Sequence, residues 1–303
     1  EQMLTLDPRT VPGSSYAQYV PMPHHTDMSR LVRLTDSDTD DVLAFLNRRP
    51  VHTVVMTSMI IDNGIESRLN RGEFYGYCGV NGEIEGIALI GHSTLVEARS
   101  DAALRALAHQ ARRSSTPIHL IMSADDDAAA FFHHYGKGTL LPRLSCTELL
   151  FQIGFPFPVQ DCEWDVRNAR PEEVEQIARA HAEVAFLESG IDPMARDREG
   201  FIQRVLRRIE QGRTFVVFED GKLVFKADII AEAADVIYLE GVYVGREFRG
   251  MGVGSSCLAK LCLDLLGRAS NVCLLSNVDF THAHRTFQKA GMENAGSCTT
   301  IFL

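Results

Sequence analysis

The glycine-rich segment from Leu239 to Gly254 is the part of this sequence whose residue types and spacing most clearly suggest chemistry. It reads LEGVYVGREFRGMGVG, an apolar strand-like run followed by closely spaced glycines and then by the start of a helix. The first amides of a helix have no internal partners, the helix dipole favours negative charge there, and glycines allow a backbone to approach a ligand closely. The segment therefore predicts a binding site for an anion such as a pyrophosphate.

Two other kinds of phosphate loop fit this segment less well. A P-loop requires Gly-Lys-Ser or Gly-Lys-Thr, and neither occurs in the chain. A dinucleotide fingerprint requires glycine or alanine where Ser255 stands, and an acidic residue at the end of the next strand, which reads Leu275-Ser276-Asn277. From the residues alone, a glycine-rich turn that binds nothing stays open as an alternative.

The same segment resembles the acetyl-CoA loop of the GNAT family of acetyltransferases, whose pattern is Q/R-x-x-G-x-G/A. Arg249, Gly252 and Gly254 match that pattern, and Val242-Tyr243-Val244 matches the V-x-V strand before it. The resemblance covers about residues 163 to 303 and includes the order of strands and helices. It implies that amides from Arg249 to Ser255 bind the pyrophosphate and that the main chain of Val242 and Val244 pairs with the pantetheine arm.

Acetyl-CoA is accordingly the expected co-substrate, and no metal is expected because the histidine pairs His24-His25 and His133-His134 lack a matching third ligand. The candidate cofactor-binding residues are Val242, Tyr243, Val244, Arg249, Gly250, Met251, Gly252, Val253, Gly254, Ser255, Asn277 and Phe287.

An acetyl transfer needs a base because an amine attacks a thioester only in its neutral form. The resemblance assigns this role to Glu240, which lies just before the V-x-V segment. A surface or ion-paired glutamate is the other interpretation. Where the family often has a tyrosine that protonates the departing thiolate, this sequence has Phe287. Another group or water must then act as the acid, or the domain has lost full activity.

The resemblance implies an N-acetyltransferase that transfers the acetyl group directly, in a ternary complex, to a primary amine of a small molecule or peptide. Phe287 favours an alternative, a non-catalytic acyl-CoA-binding sensor or scaffold. Transfer of a longer acyl group is a third hypothesis.

The two halves of the chain repeat one order of predicted elements. The second copy contains about sixteen extra residues between the hairpin and the last helix, and the glycine-rich loop lies there. In the first half this interval has no such loop, and Glu97 and Asp101 would repel phosphate, so we predict a degenerate copy that does not bind acetyl-CoA. The matched pairs are Gly82 and Gly221, Ala128 and Ala283, Phe132 and Phe287, Gly136 and Gly291, and Ser145-Cys146-Thr147 and Ser297-Cys298-Thr299.

We therefore predict an α/β protein of the α+β type, with two GNAT-like domains that each have a mixed, mostly antiparallel sheet flanked by helices. A length of 303 residues suits two domains. The expected parts are an extended arm over residues 1–28, the degenerate copy over 29–153, a proline-containing linker over 154–162 and the acetyl-CoA-binding copy over 163–303.

Composition restricts the partners further. A net charge of −10 argues against nucleic acid, and no apolar run approaches the roughly 20 residues that a membrane helix needs. Seven cysteines without a CxxC motif favour reduced thiols, and no secretion signal is recognisable, so we predict a cytoplasmic location. For the first copy, closure of the cleft, formation of a homodimer and provision of a pocket all stay open.

Overall fold

The computed structural model describes residues 26–158 and 161–303, which form twelve strands and eight α-helices, together with short 3-10 turns. The first half contains β1 (Leu31–Arg33), α1 (Thr39–Leu46), α2 (Pro50–Asn63), β2 (Gly72–Cys78), β3 (Ile84–Gly91), β4 (Ser93–Ala98), α3 (Asp101–Arg113), β5 (Leu120–Ala124), α4 (Asp127–Tyr135) and β6 (Leu144–Ile153). The second half contains β7 (Arg167–Asn168), α5 (Val174–Ser189), α6 (Pro193–Glu210), β8 (Thr214–Glu219), β9 (Lys222–Glu232), β10 (Val236–Val244), α7 (Val253–Leu265), β11 (Asn271–Asn277), α8 (Thr281–Lys289) and β12 (Glu293–Phe302).

All twelve strands join in one sheet, in the order β1-β2-β3-β4-β5-β12-β6-β11-β10-β9-β8-β7. The pairs β4–β5 and β10–β11 are parallel, and the other neighbours are antiparallel. The predicted mixed, mostly antiparallel sheet with flanking helices is confirmed. The two predicted sheets, however, merge into one continuous sheet.

The halves merge because they exchange their last strands. Strand β6 follows α4 of the first half but pairs with β11 of the second half, while β12 pairs with β5 of the first half. The two exchanged strands lie side by side at the centre, where Thr147 is directly opposite Thr299. These two threonines are also equivalent in the predicted repeat, so the strands are related by an approximate two-fold axis that passes near this pair.

Alternate side chains of one strand pack into cores on opposite faces of the sheet. In β3, Ile87 and Leu89 pack with α1 and α2, whereas Ala88 and Ile90 pack with α3 and α4. The second half has its own large core around α7, and the exchanged Phe151 of β6 is part of it.

Helix α2 also connects the halves, although no pattern in the sequence predicted it. Its Met56 and Ile60 pack into the first half, while Val54 packs with Val236 and Tyr238 of the second half. Buried residues therefore occur around much of this helix, and the one-sided apolar period that marks most helices is missing.

Some predictions concern residues outside the described ranges. These are most of the predicted arm, with His24-His25, and residues 159–160 of the predicted linker. Among the described residues, no helix is long and apolar enough to cross a membrane.

Candidate active site

A cleft opens where β10 and β11 diverge. Their parallel pairing runs from Val236 opposite Asn271 to Leu239 opposite Leu274 and ends there, although both strands continue. On its other side, β10 contains a β-bulge at Gly241, whose φ is +60°. The backbone from Val242 to Val244 is therefore not paired with β11, and an extended ligand could hydrogen-bond to it.

The predicted glycine-rich loop connects this strand to α7. Gly250 and Gly252 have φ values of +80° and +83°, and no protein atom lies within 4 Å of the position that a Cβ would take at either residue. Helix α7 begins at Val253, and no side chain caps its first amides. Uncapped amides beside open space provide the geometry of an anion site.

The side chain of Arg249 connects this loop to β10. Its Nε donates a hydrogen bond of 2.9 Å to the carbonyl of Val244, and its guanidinium lies 5.6 Å from the centre of the Tyr243 ring. A terminal nitrogen also lies 3.3 Å from Glu183 of α5. The side chain is thus engaged with protein, and the backbone amide of Arg249 donates a long hydrogen bond of 3.5 Å to the carbonyl of Arg246, so the predicted phosphate contact depends mainly on the amides that follow Arg249.

The cleft has a volume of about 830 Å³. Most of the predicted site residues lie in its wall, together with side chains from α5 and α8. The predicted residues in the wall are Glu240, Val242, Tyr243, Val244, Arg249, Gly250, Gly252, Val253, Gly254, Ser255 and Phe287.

Two residues predicted to bind the cofactor lie outside the cleft wall. Met251 points outward at the tip of the loop and is 72% exposed. The side chain of Asn277 accepts a hydrogen bond from the backbone amide of Asp279. The backbone carbonyl oxygen of Asn277 lies 2.9 Å from Nε2 of His284. Asn277 therefore organises the turn before α8.

Phe287 is 6% exposed and forms one side of the cleft. Its ring packs edge-on against Phe151 of β6, with centroids 5.4 Å apart. A phenyl ring has no proton to donate, so Phe287 contributes apolar packing surface to the cleft and not an acid.

Carboxylates surround the other end of the cleft. Glu240 accepts a 2.8 Å hydrogen bond from the hydroxyl of Tyr238, and Glu188, near the end of α5, lines the same wall. Burial raises the pKa of Glu188 to about 7, and the negative charges of Glu240 and Glu148 add to the effect. Burial also raises the pKa of Glu240, although Tyr238 and Arg208 oppose this. Solvent still reaches Glu188 and Glu240 through the open cleft.

Glu148 comes from the exchanged strand β6 of the first half. Burial raises its pKa, while a 2.9 Å hydrogen bond from the hydroxyl of Thr300 lowers it and the charge of Glu240 raises it. Neither Glu148 nor Glu188 was predicted from the sequence as a site residue. Neither residue is close in sequence to the glycine-rich loop, so no local signal indicated them.

The raised pKa of Glu188 predicts a pH-dependent stability. Between pH 4.5 and 7 this carboxyl is ionised in the unfolded chain but protonated in the folded protein, so the free energy of unfolding falls as the pH rises through that window. We expect Glu188→Gln to remove this component and to stabilise the protein at pH 8 by about 1 kcal/mol, allowing for solvent access. Thermal unfolding from pH 4 to 8 measures the slope of the free energy of unfolding against pH. Glu175→Gln, an exposed carboxylate on the same helix, should retain the wild-type slope, and an equal slope for Glu188→Gln would contradict the assignment.

The equivalent region of the first half has no comparable site. Two residues separate β4 from α3, whereas eight residues separate β10 from α7. Glu97 is 3% exposed there and lies 3.6 Å from Arg49, which also pairs with Asp125 at 2.8 Å. The first half therefore has a buried carboxylate in the region where a phosphate site would require backbone amides.

Within the described residues, no group of three or more histidine, cysteine or acidic side chains is arranged to hold a metal ion.

The model of the acetyltransferase (GNAT) family matches residues 174–292, which include the glycine-rich loop and the cleft. No curated protein matches the chain.

Several solved structures share the fold. An acetyltransferase of the GNAT family from Colwellia psychrerythraea is 12% identical with a TM-score of 0.54, and the alignment covers 90% of this chain and 99% of that one. A Drosophila protein is 12% identical with a TM-score of 0.65, over 90% and 98% of the two chains. A tandem GNAT protein from the clavulanic acid biosynthesis pathway is 12% identical with a TM-score of 0.52, over 90% and 97%. At such identities the similarity concerns the fold alone.

Proposed function

We propose that this protein, whose second half matches the model of the acetyltransferase (GNAT) family over residues 174–292, transfers an acetyl group from acetyl-CoA to a primary amine. The observation that carries the proposal is the divergence of β10 from β11 beside an uncapped, glycine-rich helix start. The pyrophosphate would bind the amides from Arg249 to Ser255, and the pantetheine arm would pair with the free backbone of Val242 and Val244.

The open space at Gly250 and Gly252 supports this placement because a side chain at either position would project into the proposed phosphate site. The cleft of about 830 Å³ continues from the loop to the carboxylates of Glu188 and Glu240. The thioester would then lie between the loop and these carboxylates.

The carboxylates favour an amine as the acceptor. Glu240 and, above about pH 7, Glu188 would give this end of the cleft a negative charge that attracts an ammonium group of a small molecule or peptide. Glu240, directly or through an ordered water, would take the proton that the amine must lose. The neutral nitrogen then forms the new C–N bond as the C–S bond breaks, and a backbone amide near Val244 would polarise the thioester carbonyl. Because Phe287 cannot protonate the departing thiolate, water or another group supplies that proton.

Glu240→Gln tests this assignment. We expect kcat to fall about 100-fold or more, because a general base typically contributes that much, with acetyl-CoA affinity nearly unchanged. Thiol release across a panel of amines measures kcat, and calorimetry measures the affinity. Glu232→Gln is the matched control because Glu232 lies at the far end of β9 and pairs with Arg268. If Glu240→Gln turns over as fast as the control, Glu240 is not the base.

Phe287 supports a second candidate, a non-catalytic acyl-CoA-binding sensor or scaffold. This second function predicts that the wild-type chain binds acetyl-CoA but releases no thiol with any amine in the panel. The panel also tests the donor, since faster thiol release from a longer acyl-CoA would favour that donor over acetyl-CoA. The domain bounds, the cytoplasmic location and a homodimer stay predictions.

A further inference from the structure

A fully buried lysine lies directly beneath the bulge of the proposed cofactor strand. Lys226 of β9 is 0% exposed, and its Nζ lies 3.2 Å from the carbonyl oxygen of Gly241. The same nitrogen donates to the carboxylate of Asp228 and lies 3.3 Å from Nδ1 of His181. A protonated lysine has three N–H donors, and these three acceptors match them.

Asp228 compensates the buried charge. It is 1% exposed, and it accepts hydrogen bonds from Lys226, from Arg208 at 3.2 Å and from the hydroxyl of Thr214 at 2.8 Å. Burial alone would raise the pKa of Asp228, but the positive charges of Lys226 and Arg208 hold it well below its usual range. A buried ion pair with its hydrogen bonds satisfied is costly to disrupt on one side only.

His181 links this network to α5. Burial and the charge of Lys226 lower its pKa, which favours the neutral imidazole. When Nδ1 accepts from Lys226, the ring proton lies on Nε2, and the 3.2 Å approach of Nδ1 to Asp228 is then a contact without a hydrogen bond. Helix α5 also carries Glu188, so the network ties the carboxylate end of the cleft to the cofactor strand.

The carbonyl of Gly241 determines the direction of the next amide. Because a peptide unit is planar and trans, the N–H of Val242 points away from the Gly241 carbonyl and therefore away from Lys226. Val242 lines the cleft and is one of the residues proposed to pair with pantetheine. A Cβ at Gly241 would lie 2.8 Å from Nζ of Lys226, so only glycine fits this arrangement without a shift.

We infer that Lys226 is a positioning residue for the acetyl transfer: it holds the Gly241 carbonyl and so orients the Val242 amide toward the co-substrate. This inference rests on the proposed function.

The charge of Lys226 also affects the carboxylates of the cleft. It lowers the pKa values of Glu240 and Glu188, whereas Asp228 raises that of Glu240. The other groups that act on these two carboxylates are Tyr238, Arg208 and Glu148, together with the effect of Glu240 on Glu188. Removal of Lys226 or of Asp228 should therefore shift the pH profile in opposite directions, which loss of stability alone would not do.

Lys226→Met is the first test. We expect acetyl-CoA to bind at least about 10-fold more weakly, since the bulge amide loses its orientation. We expect the acidic limb of the kcat/KM profile to move up by about one pH unit, because the base loses a neighbouring positive charge. Asp228→Asn should move that limb down. Thr214→Val is the matched control, since it removes a buried hydrogen bond to Asp228 without touching Gly241.

The outcomes separate this inference from the proposed function. Wild-type affinity and an unshifted profile in Lys226→Met would overturn the inference and leave the transferase standing. A wild-type chain that binds no acetyl-CoA would overturn both. If Lys226→Met does not fold because Asp228 is left unpaired, Lys226→Met/Asp228→Asn removes both charges. That double variant should also bind acetyl-CoA about 10-fold more weakly, and wild-type affinity would overturn the inference.

Discussion

Gly252→Glu is expected to weaken acetyl-CoA binding by at least about 100-fold and to abolish turnover. The new side chain would place a carboxylate beside the first amides of α7, where the pyrophosphate is proposed to bind. Like charges in contact cost several kcal/mol, and each 1.4 kcal/mol corresponds to about a factor of ten in affinity. Titration calorimetry with acetyl-CoA measures the effect directly.

Gly82→Glu is the matched control for this variant. Gly82 has the same φ of +83° as Gly252, and no atom lies within 4 Å of the position that a Cβ would take there, so both variants suffer the same backbone strain and gain the same charge. Gly82 lies in the hairpin turn between β2 and β3, far from the cleft in the chain. Equal acetyl-CoA affinity in the two variants would contradict a phosphate site at Gly252.

The second half expressed alone, as residues 163–303, is expected not to fold. It would lack β6, which pairs with β11 along six residues and contributes Leu150, Phe151 and Ile153 to buried clusters. Each such side chain contributes about 1.5–3 kcal/mol, and their sum is comparable with the whole stability of a typical domain. Circular dichroism and thermal unfolding of the purified fragment test this.

A longer fragment, residues 144–303, provides the comparison. It retains β6 between β11 and β12, so we expect it to show cooperative unfolding and to bind acetyl-CoA. Cooperative unfolding and acetyl-CoA binding by residues 163–303 alone would show that the exchanged strand is dispensable.

The hairpins, the repeat and the glycine-rich loop could be predicted because their signals are local in the sequence. Asn81-Gly82 and Asp220-Gly221 specify turns by their own backbone preferences. The exchange of β6 and β12 has no such signal. Both strands carry the same Ser-Cys-Thr motif and similar apolar patterns, so either strand could close either half, and tertiary packing decides between them.

The site could be predicted in part for the same reason. The loop from Arg249 to Ser255 is continuous in the chain, whereas Glu148 and Glu188 reach the carboxylate cluster from a strand and a helix that are distant in sequence. The buried pair Lys226 and Asp228, in contrast, could have been recognised from the sequence. Two charged residues at i and i+2 in the apolar run LVFKADII point to one face of a strand, and a buried ion pair is the expected result.

Calorimetric titration of the intact chain with acetyl-CoA tests the central claim most directly. The second half has a glycine-rich loop, whereas the first half has the buried Glu97. We therefore predict one binding site per chain, with the cofactor in the cleft between β10 and β11. No binding by the folded chain would contradict the transferase, and two sites per chain would contradict the inert first half.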